Sequence, residues 1–295
     1  MKTTIYIDAN NLAIRCAFSQ DVYQVGLNDD YYIDWEHWSY LVFSNIYKAL
    51  NHVTNCNEII LAVDAKVSWR KDVWSRYKES RSNKRATGKP FDWPLFFEKY
   101  AELQEEFKKH FPFKILAIDK CEADDIIGVL VLNNPEKSQI ISSDKDFIQL
   151  YIPDRVSIYS PMTRTNLLHP NTEMFLVEQS LIGQSKDDIF NIITPLDHPI
   201  GKRKPGYGEK ALDKTIAYGW KRWLKDKKLE ERYEFNRNLM DFRRIPEPIK
   251  ENIITAREKY ETPHPENIYK FFKEHHWPEY LENLTNVENR LYELY

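Results

Sequence analysis

The absences in this 295-residue chain narrow the reading first. It has three cysteines, Cys16, Cys56 and Cys121, an odd number without metal-ligand spacing. That excludes a disulfide framework and reads as free thiols in a reducing compartment. No histidine–cysteine cluster suggests zinc. No apolar run is long enough to cross a bilayer, and the opening MKTTIYIDANN reaches a carboxylate too early for a signal peptide. A soluble, cytoplasmic protein is the expectation. Excess charge of one sign is missing too, the formal net charge being −3, so a polyanionic partner must be sought in how charge is distributed. Internal repeats and low-complexity tails are also lacking.

What is present is an alternation. TTIYID (3–8), EIILAVD (58–64), FKILAID (113–119) and QIISSD (139–144) are isoleucine- and valine-rich runs bounded by polar residues. Segments such as 36–52 and 93–110 between them place apolar residues at helical spacing. The pattern predicts an α/β domain with a mainly parallel central sheet. Each run ends in an aspartate: Asp8, Asp64, Asp119 and Asp144. In open α/β sheets the functional crevice lies beyond the carboxyl ends of the strands. From about residue 180 the strand signals fade. A loop rich in proline and glycine (193–208), a charged helical stretch (209–242), a proline linker at 246–248 and further helices follow. We therefore expect two domains, 1–180 and 181–295.

CEADDIIGVLVL (121–132) adds Glu122, Asp124 and Asp125 where an apolar helix begins. Acidic residues there also serve as ordinary caps, and single strand-end aspartates often open turns. Asp144 and Asp146, in IISSDKDFIQL (140–150), sit at i and i+2, on one side of an extended segment. If all these groups converge, they cannot all ionise unaided, because each like charge raises the next pKa. A hard divalent cation resolves the conflict, and Mg²⁺ favours carboxylate oxygens with retained water. An oxygen-only site of this kind points to phosphate chemistry.

The segment 66–89, KVSWRKDVWSRYKESRSNKRATGK, holds nine basic residues against Asp72 and Glu79. As one helix it places Lys71, Trp74, Lys78 and Arg81 on a single face. Basic groups there, with Arg70, would track a phosphate backbone, while Trp74 and Tyr77 offer stacking platforms. The plain alternative is a solvated cationic helix whose Trp69, Val73 and Tyr77 pack inward. A second basic stretch, KRKPGYGEKALDK (202–214), puts Gly206 and Gly208 before a helix with Lys210 one turn on, a backbone geometry suited to phosphate.

IDANN at 7–11, EADDIIG at 122–128, SSDKDFIQL at 142–150 and GYGEKAL at 206–212 together resemble the 5′-nuclease family of flap endonucleases, polymerase 5′-nuclease domains and phage 5′→3′ exonucleases. The SWRKDVWSRYKESR run looks nearest its T-even bacteriophage RNase H branch. The resemblance implies a PIN-like nuclease domain with a basic arch at about 66–90, then a helical region with a helix-three-turn-helix duplex-binding motif. It implies Asp8, Asp64, Glu122, Asp124, Asp144 and Asp146 as ligands of the tighter Mg²⁺, directly or through water, with Asp125 a further acidic position. Lys78 and Arg81 would grip the scissile phosphate, and Gly206 and Gly208 the duplex. The family usually has two aspartates three apart after a glycine. Here Gly183 is followed by neutral Gln184, with Asp187 retained and Asp188 beside it, so a weakened second site is expected. Mn²⁺ should substitute for Mg²⁺.

The expected activity is a Mg²⁺-dependent 5′→3′ exonuclease or flap endonuclease with RNase H activity, removing lagging-strand primers. Its substrates would be 5′-flap, nicked or RNA-primed duplex DNA, and it would work as a monomer in the host cytoplasm if phage-encoded. A single-strand-binding protein and a sliding clamp are candidate partners. Two other classes stay open: a structure-specific DNA-binding protein with weakened catalysis, and a PIN-type endoribonuclease.

Overall fold

The computed structural model describes residues 2–25, 31–53, 55–81, 91–199, 201–262 and 268–294. The first apolar run forms strand β1 (Thr3–Asp8), buried along its whole length. A strand covered on both faces reads as a continuous apolar run with no alternation. Asp8 ends it and caps helix α1 (Ala9–Ala17), accepting from Asn11 N at 3.0 Å. A short antiparallel hairpin, β2 (Tyr23–Val25) with β3 (Tyr31–Ile33), leads to α2 (Trp35–Ala49), which Asp34 caps. Then come β4 (Cys56–Val63), a four-residue helix α3 (Arg70–Val73), α4 (Trp93–His110), β5 (Phe113–Ala117), α5 (Ala123–Asn133), β6 (Lys137–Ile141), β7 (Val156–Ser160) and β8 (Thr165–Asn166). The remaining α-helices among the described residues are α6 (Thr172–Ile182), α7 (Glu209–Tyr218), α8 (Trp220–Lys227), α9 (Glu230–Met240), α10 (Glu247–Glu258), α11 (Ile268–Glu274), α12 (Pro278–Glu282) and α13 (Leu284–Tyr292).

The six-stranded sheet has the order β5-β4-β1-β6-β7-β8, parallel except for the β7–β8 pair. This is the mainly parallel α/β architecture expected, followed by helices. In register, Asp8 pairs with Ala62 and Ile7 with Ile141, so β1, β4 and β6 deliver their carboxyl ends to one edge of the sheet.

The chain packs as two units. One contains 1–66, 90–168 and 247–295, and the other 67–89 and 169–246. The core of the first is strongly aromatic: Trp38, Phe43, Phe96, Phe111, Phe113, Phe271 and Phe272 are each at most 2% exposed. Burying a side chain of this size contributes about 1.5–3 kcal/mol. In the second, Val177, Leu181, Tyr207, Leu212, Leu224 and Tyr233 form one cluster. Tyr77, Ile189, Leu239 and Met240 form another.

Two expectations about elements need correcting. Segment 71–81 is not one helix: α3 stops at Val73, Trp74 is extended (φ −139°, ψ 96°) and Lys78 is left-handed (φ +56°). Contacts distant in sequence impose this, since Lys78 N donates to Asp187 O at 3.0 Å. Residues 246–248 are not a linker, because α10 starts at Glu247 with Pro248 in its first turn, where a missing N–H costs nothing. Residues 247–258 join the strands through Arg257, whose Nη2 donates to Glu58 Oε2 at 2.7 Å, while Lys114 holds Glu58 Oε1 at 2.8 Å. Charged helices 209–242 form as expected but break at Gly219 (φ +92°) and left-handed Lys228 (φ +55°).

Candidate active site

Asp124, Asp144 and Asp146 meet at the carboxyl edge of the sheet. One carboxylate oxygen from each lies within 4.8 Å of the others, and all three are half-buried. The chain reaches this arrangement by local means. Asp124 is in the first turn of α5. Asp144 caps a 3-10 helix (Lys145–Leu150) that carries Asp146, its Oδ1 accepting from Asp146 N at 3.0 Å, so the pair does not lie on an extended segment. The preceding Ser143 fastens the loop, because its hydroxyl accepts from Arg15 Nη1 (3.3 Å), Ser160 Oγ (3.0 Å) and Met162 N (3.3 Å).

The other acidic candidates of this unit lie at strand and helix ends. Asp8 is 7% exposed and caps α1. Asp64, one residue past β4, is exposed, and its Oδ1 accepts from Ala123 N at 2.8 Å. Glu122 is 7% exposed and caps α5. Asp125 is fully buried, and its Oδ2 accepts from Glu122 N at 2.9 Å. Its place three residues after the cap directs it back onto the helix terminus, so the ordinary capping role applies to it. Asp119 lies two residues beyond β5 and is exposed.

Two residues that spacing did not single out brace this edge. Asn10 Oδ1 accepts from Asp64 N at 3.1 Å and from the Tyr100 hydroxyl at 3.3 Å. Tyr100, on α4, is buried. Burial first, then the charges of Asp8 and Asp64, holds its phenol well above the ordinary range. Asn10 stands within the IDANN motif, but Tyr100 gave no local sign beyond an apolar helix position.

Asp187, Lys78 and Arg81 belong to the second unit and come together there. Arg81 Nη2 is 2.8 Å from Asp187 Oδ1, and Lys78 Nζ 3.8 Å from the same oxygen. Asp188 Oδ2 accepts from Ser80 N at 2.7 Å. Gly183 (φ +75°) starts the turn that carries both aspartates. A Cβ on it would lie 2.5 Å from Ile189 O, so only glycine fits. Gln184 closes the turn through paired backbone bonds with Ile189, at 2.8 and 3.0 Å.

The expected nucleic-acid residues divide. Lys71 and Lys210 are exposed. Arg70 is 3% exposed, its guanidinium 4.7 Å above the Trp69 ring and its Nε donating to Leu239 O at 2.7 Å. Tyr77 is 4% exposed, and Trp74 sets its ring edge-on to Phe190 and Phe235 while donating to Asp188 O at 3.3 Å. These three pack inward; of the plain alternative's stripe, only Val73 faces solvent. Lys84, Arg85 and Lys89 lie outside the described residues. Gly208 is the N-cap of α7, and the space beside both Gly206 and Gly208 is open. Between them Tyr207 is buried, its hydroxyl donating to Thr215 Oγ1 at 2.9 Å, which anchors the turn so that its glycines stay outside.

A cluster of carboxylates at the carboxyl edge of a parallel sheet, with oxygen as its only donor type, defines a metal-dependent phosphodiesterase class. Comparison makes the class specific. Residues 3–179 match the model of the 5′-3′ exonuclease N-terminal resolvase-like domain, and residues 170–288 that of the T4 RNase H C-terminal domain. The chain belongs to the 5′-3′ exonuclease family and is a 5′ nuclease. Ribonuclease H of Enterobacteria phage T4 is 31% identical over 228 residues, covering 73% of this chain and 74% of that one. The fold is similar to that of the bacteriophage T5 5′-exonuclease with bound zinc (17% identity, TM-score 0.60, 87% and 99% of the two chains). It is similar also to the T5 flap endonuclease in a complex with DNA and metal ions (18% identity, TM-score 0.58, 88% and 100%).

Proposed function

We propose that this chain is a Mg²⁺-dependent 5′→3′ exonuclease and flap endonuclease with RNase H activity, acting at 5′ ends of RNA or DNA on duplex and removing lagging-strand primers. The meeting of Asp124, Asp144 and Asp146 carries the reading. Half-buried carboxylates packed this closely, with no softer donor among them, suit a hard divalent ion. Such an ion supplies Lewis acidity at the phosphate and a water of lowered pKa. The three aspartates would hold it, with Asp8, Asp64 and Glu122 contributing directly or through water.

The residues of the second unit act on the nucleic acid. Lys78 and Arg81 would meet a substrate phosphate, and Asp187 would help hold a second, weaker ion that Gln184 leaves short of one charge. The open Gly206–Gly208 turn and exposed Lys210 hold the duplex backbone as the outer part of a helix-three-turn-helix. Products carry a 5′-phosphate and a 3′-hydroxyl, and Mn²⁺ replaces Mg²⁺. Phage T4 ribonuclease H as a relative, and a T5 flap endonuclease crystallised with DNA and metal ions as a neighbour, support this substrate class.

The test is Asp144→Asn, which keeps the capping oxygen and removes the charge. Turnover of a 5′-labelled flap should fall by on the order of 10²–10³-fold, with flap affinity retained. Undiminished cleavage by this variant rejects the proposal.

A further inference from the structure

We propose that Tyr100 is a positioning residue for the metal ligands, acting through Asn10 to fix the distance between the Asp8 and Asp64 strand ends. The inference rests on the nuclease reading above and adds to it a residue that motif and spacing left as plain core. Three observations carry it. The Tyr100 hydroxyl, on α4, donates to Asn10 Oδ1 at 3.3 Å. The same oxygen accepts from Asp64 N at 3.1 Å. Asn10 itself is two residues past Asp8, in the first turn of α1, and 9% exposed.

The brace spans three elements: the β1–α1 junction, the end of β4, and α4. Asp64 is fixed at a further point, since its Oδ1 accepts from Ala123 N, the first residue of α5. Asp64 is therefore tied to the helices that carry Tyr100 and Asp124, while Asp8 is held by its own cap. The phenol is suited to stay a donor. It is 5% exposed and donates to Asn10 from within the core, which gives the Asn10 carbonyl oxygen a fixed orientation. With the hydroxyl gone, Asn10 keeps the Asp64 N–H but can rotate, and the two strand ends lose their common reference. Partners hydrogen-bonded to metal ligands, as Asn10 is to Asp64, are worth about 10–100-fold in ion affinity, and Tyr100, one bond further out, belongs at the low end of that range.

The experiment is calorimetric titration of the full chain with MgCl₂ and with MnCl₂, for wild type, Tyr100→Phe and Asn10→Ala. Thermal melts in EDTA and flap-cleavage kinetics accompany it. Tyr100→Phe keeps the ring in the core and removes one oxygen. It should bind the ion about tenfold more weakly and move the half-saturating metal concentration for cleavage by the same factor, with KM for the flap at saturating metal unchanged. Asn10→Ala should do the same or more. A lower melting temperature in EDTA with ion affinity unaltered in both variants assigns Tyr100 to packing alone and overturns the proposal. Absence of ion uptake by the wild type itself overturns the nuclease reading beneath it, a separable outcome.

Discussion

The two units handle aspartate in opposite ways. In the first, Asp124, Asp144 and Asp146 bring carboxylate oxygens within 4.8 Å of one another, so the folded state raises the free energy of its own charges. In the second, Asp187 is paired with Arg81 at 2.8 Å. Asp241, 3% exposed at its side chain, meets Arg243 at 2.9 Å and Arg237 at 3.1 Å. One unit concentrates like charge and calls for an outside cation, while the other supplies its own. The same chemical change, aspartate to asparagine, should therefore have opposite signs in the two places.

The largest effect is expected at Asp241. Burial alone would push its carboxyl up, but hydrogen bonds and charge from Arg243, then Arg237, hold it below the usual range. Asp241→Asn leaves those guanidiniums facing a neutral group in a mostly buried site, a loss of about 3 kcal/mol measurable by urea denaturation. Because the folded pKa is lowered, this stabilisation is present above the unfolded carboxyl's pKa of about 3.9 and disappears as pH falls through the folded value. Glu173, held down by the same two arginines against the cost of burial, should titrate with it. A wild type whose stability does not drop in acid more steeply than that of Asp241→Asn contradicts the assignment.

Next in size is the mirror experiment at Asp144. Asparagine keeps the oxygen that caps Asp146 N, so only charge is lost. In EDTA, Asp144→Asn should melt above wild type, by about 1 kcal/mol for each of the two like-charge pairs relieved, with Asp124 and with Asp146. With divalent ion at a hundred times its dissociation constant, wild type should gain about 2.7 kcal/mol and the variant far less. Scanning fluorimetry with and without the ion reads both. A destabilised variant in EDTA makes the two units alike and removes the contrast.

How much of this was written in the sequence depends on the distance between the partners. Asp8, Asp64 and Asp144 could be placed because buried parallel strands are continuous apolar runs, and register then levels their ends without further information. Helices 35–49 and 93–110 followed from periodicity over many residues. The 70–81 segment was misread because its conformation is dictated from more than a hundred positions away: Trp74 and Ser80 bond to Asp188, and Lys78 to Asp187. Inside one helix those cations look solvated, and nothing local shows Arg70 turning inward. The membership of residues 247–258 likewise hangs on Arg257 and Glu58, 199 positions apart. Tyr100 escaped notice for a related reason, since an aromatic at a core position looks the same whether or not its hydroxyl has a task.

The smallest effect lies between the two extremes, at a place where the first unit also gathers carboxylates but supplies a titratable cation. His275, at the end of α11 and 16% exposed at its side chain, sits between Glu36 of α2 (Nδ1 to Oε2, 3.2 Å) and Glu106 of α4 (Nε2 to Oε2, 3.3 Å). Its ring packs 4.3 Å from Phe271 and 5.2 Å from Trp277, with His276 and Glu279 lining the same cavity of about 330 Å³. Burial disfavours the imidazolium, but Glu106 and then Glu36 outweigh it and raise the pKa. A raised folded pKa contributes stability that is complete below the unfolded value of about 6.5 and is lost as pH rises through the folded one. His275→Gln should therefore cost up to about 1 kcal/mol at pH 6 and progressively less above pH 7, the two melting curves converging in alkali. Salt should shrink the difference, because both glutamates are open to solvent. A gap between wild type and variant that is constant from pH 6 to 9 means that the ring contributes by packing on Phe271 and Trp277, and that its charge is idle.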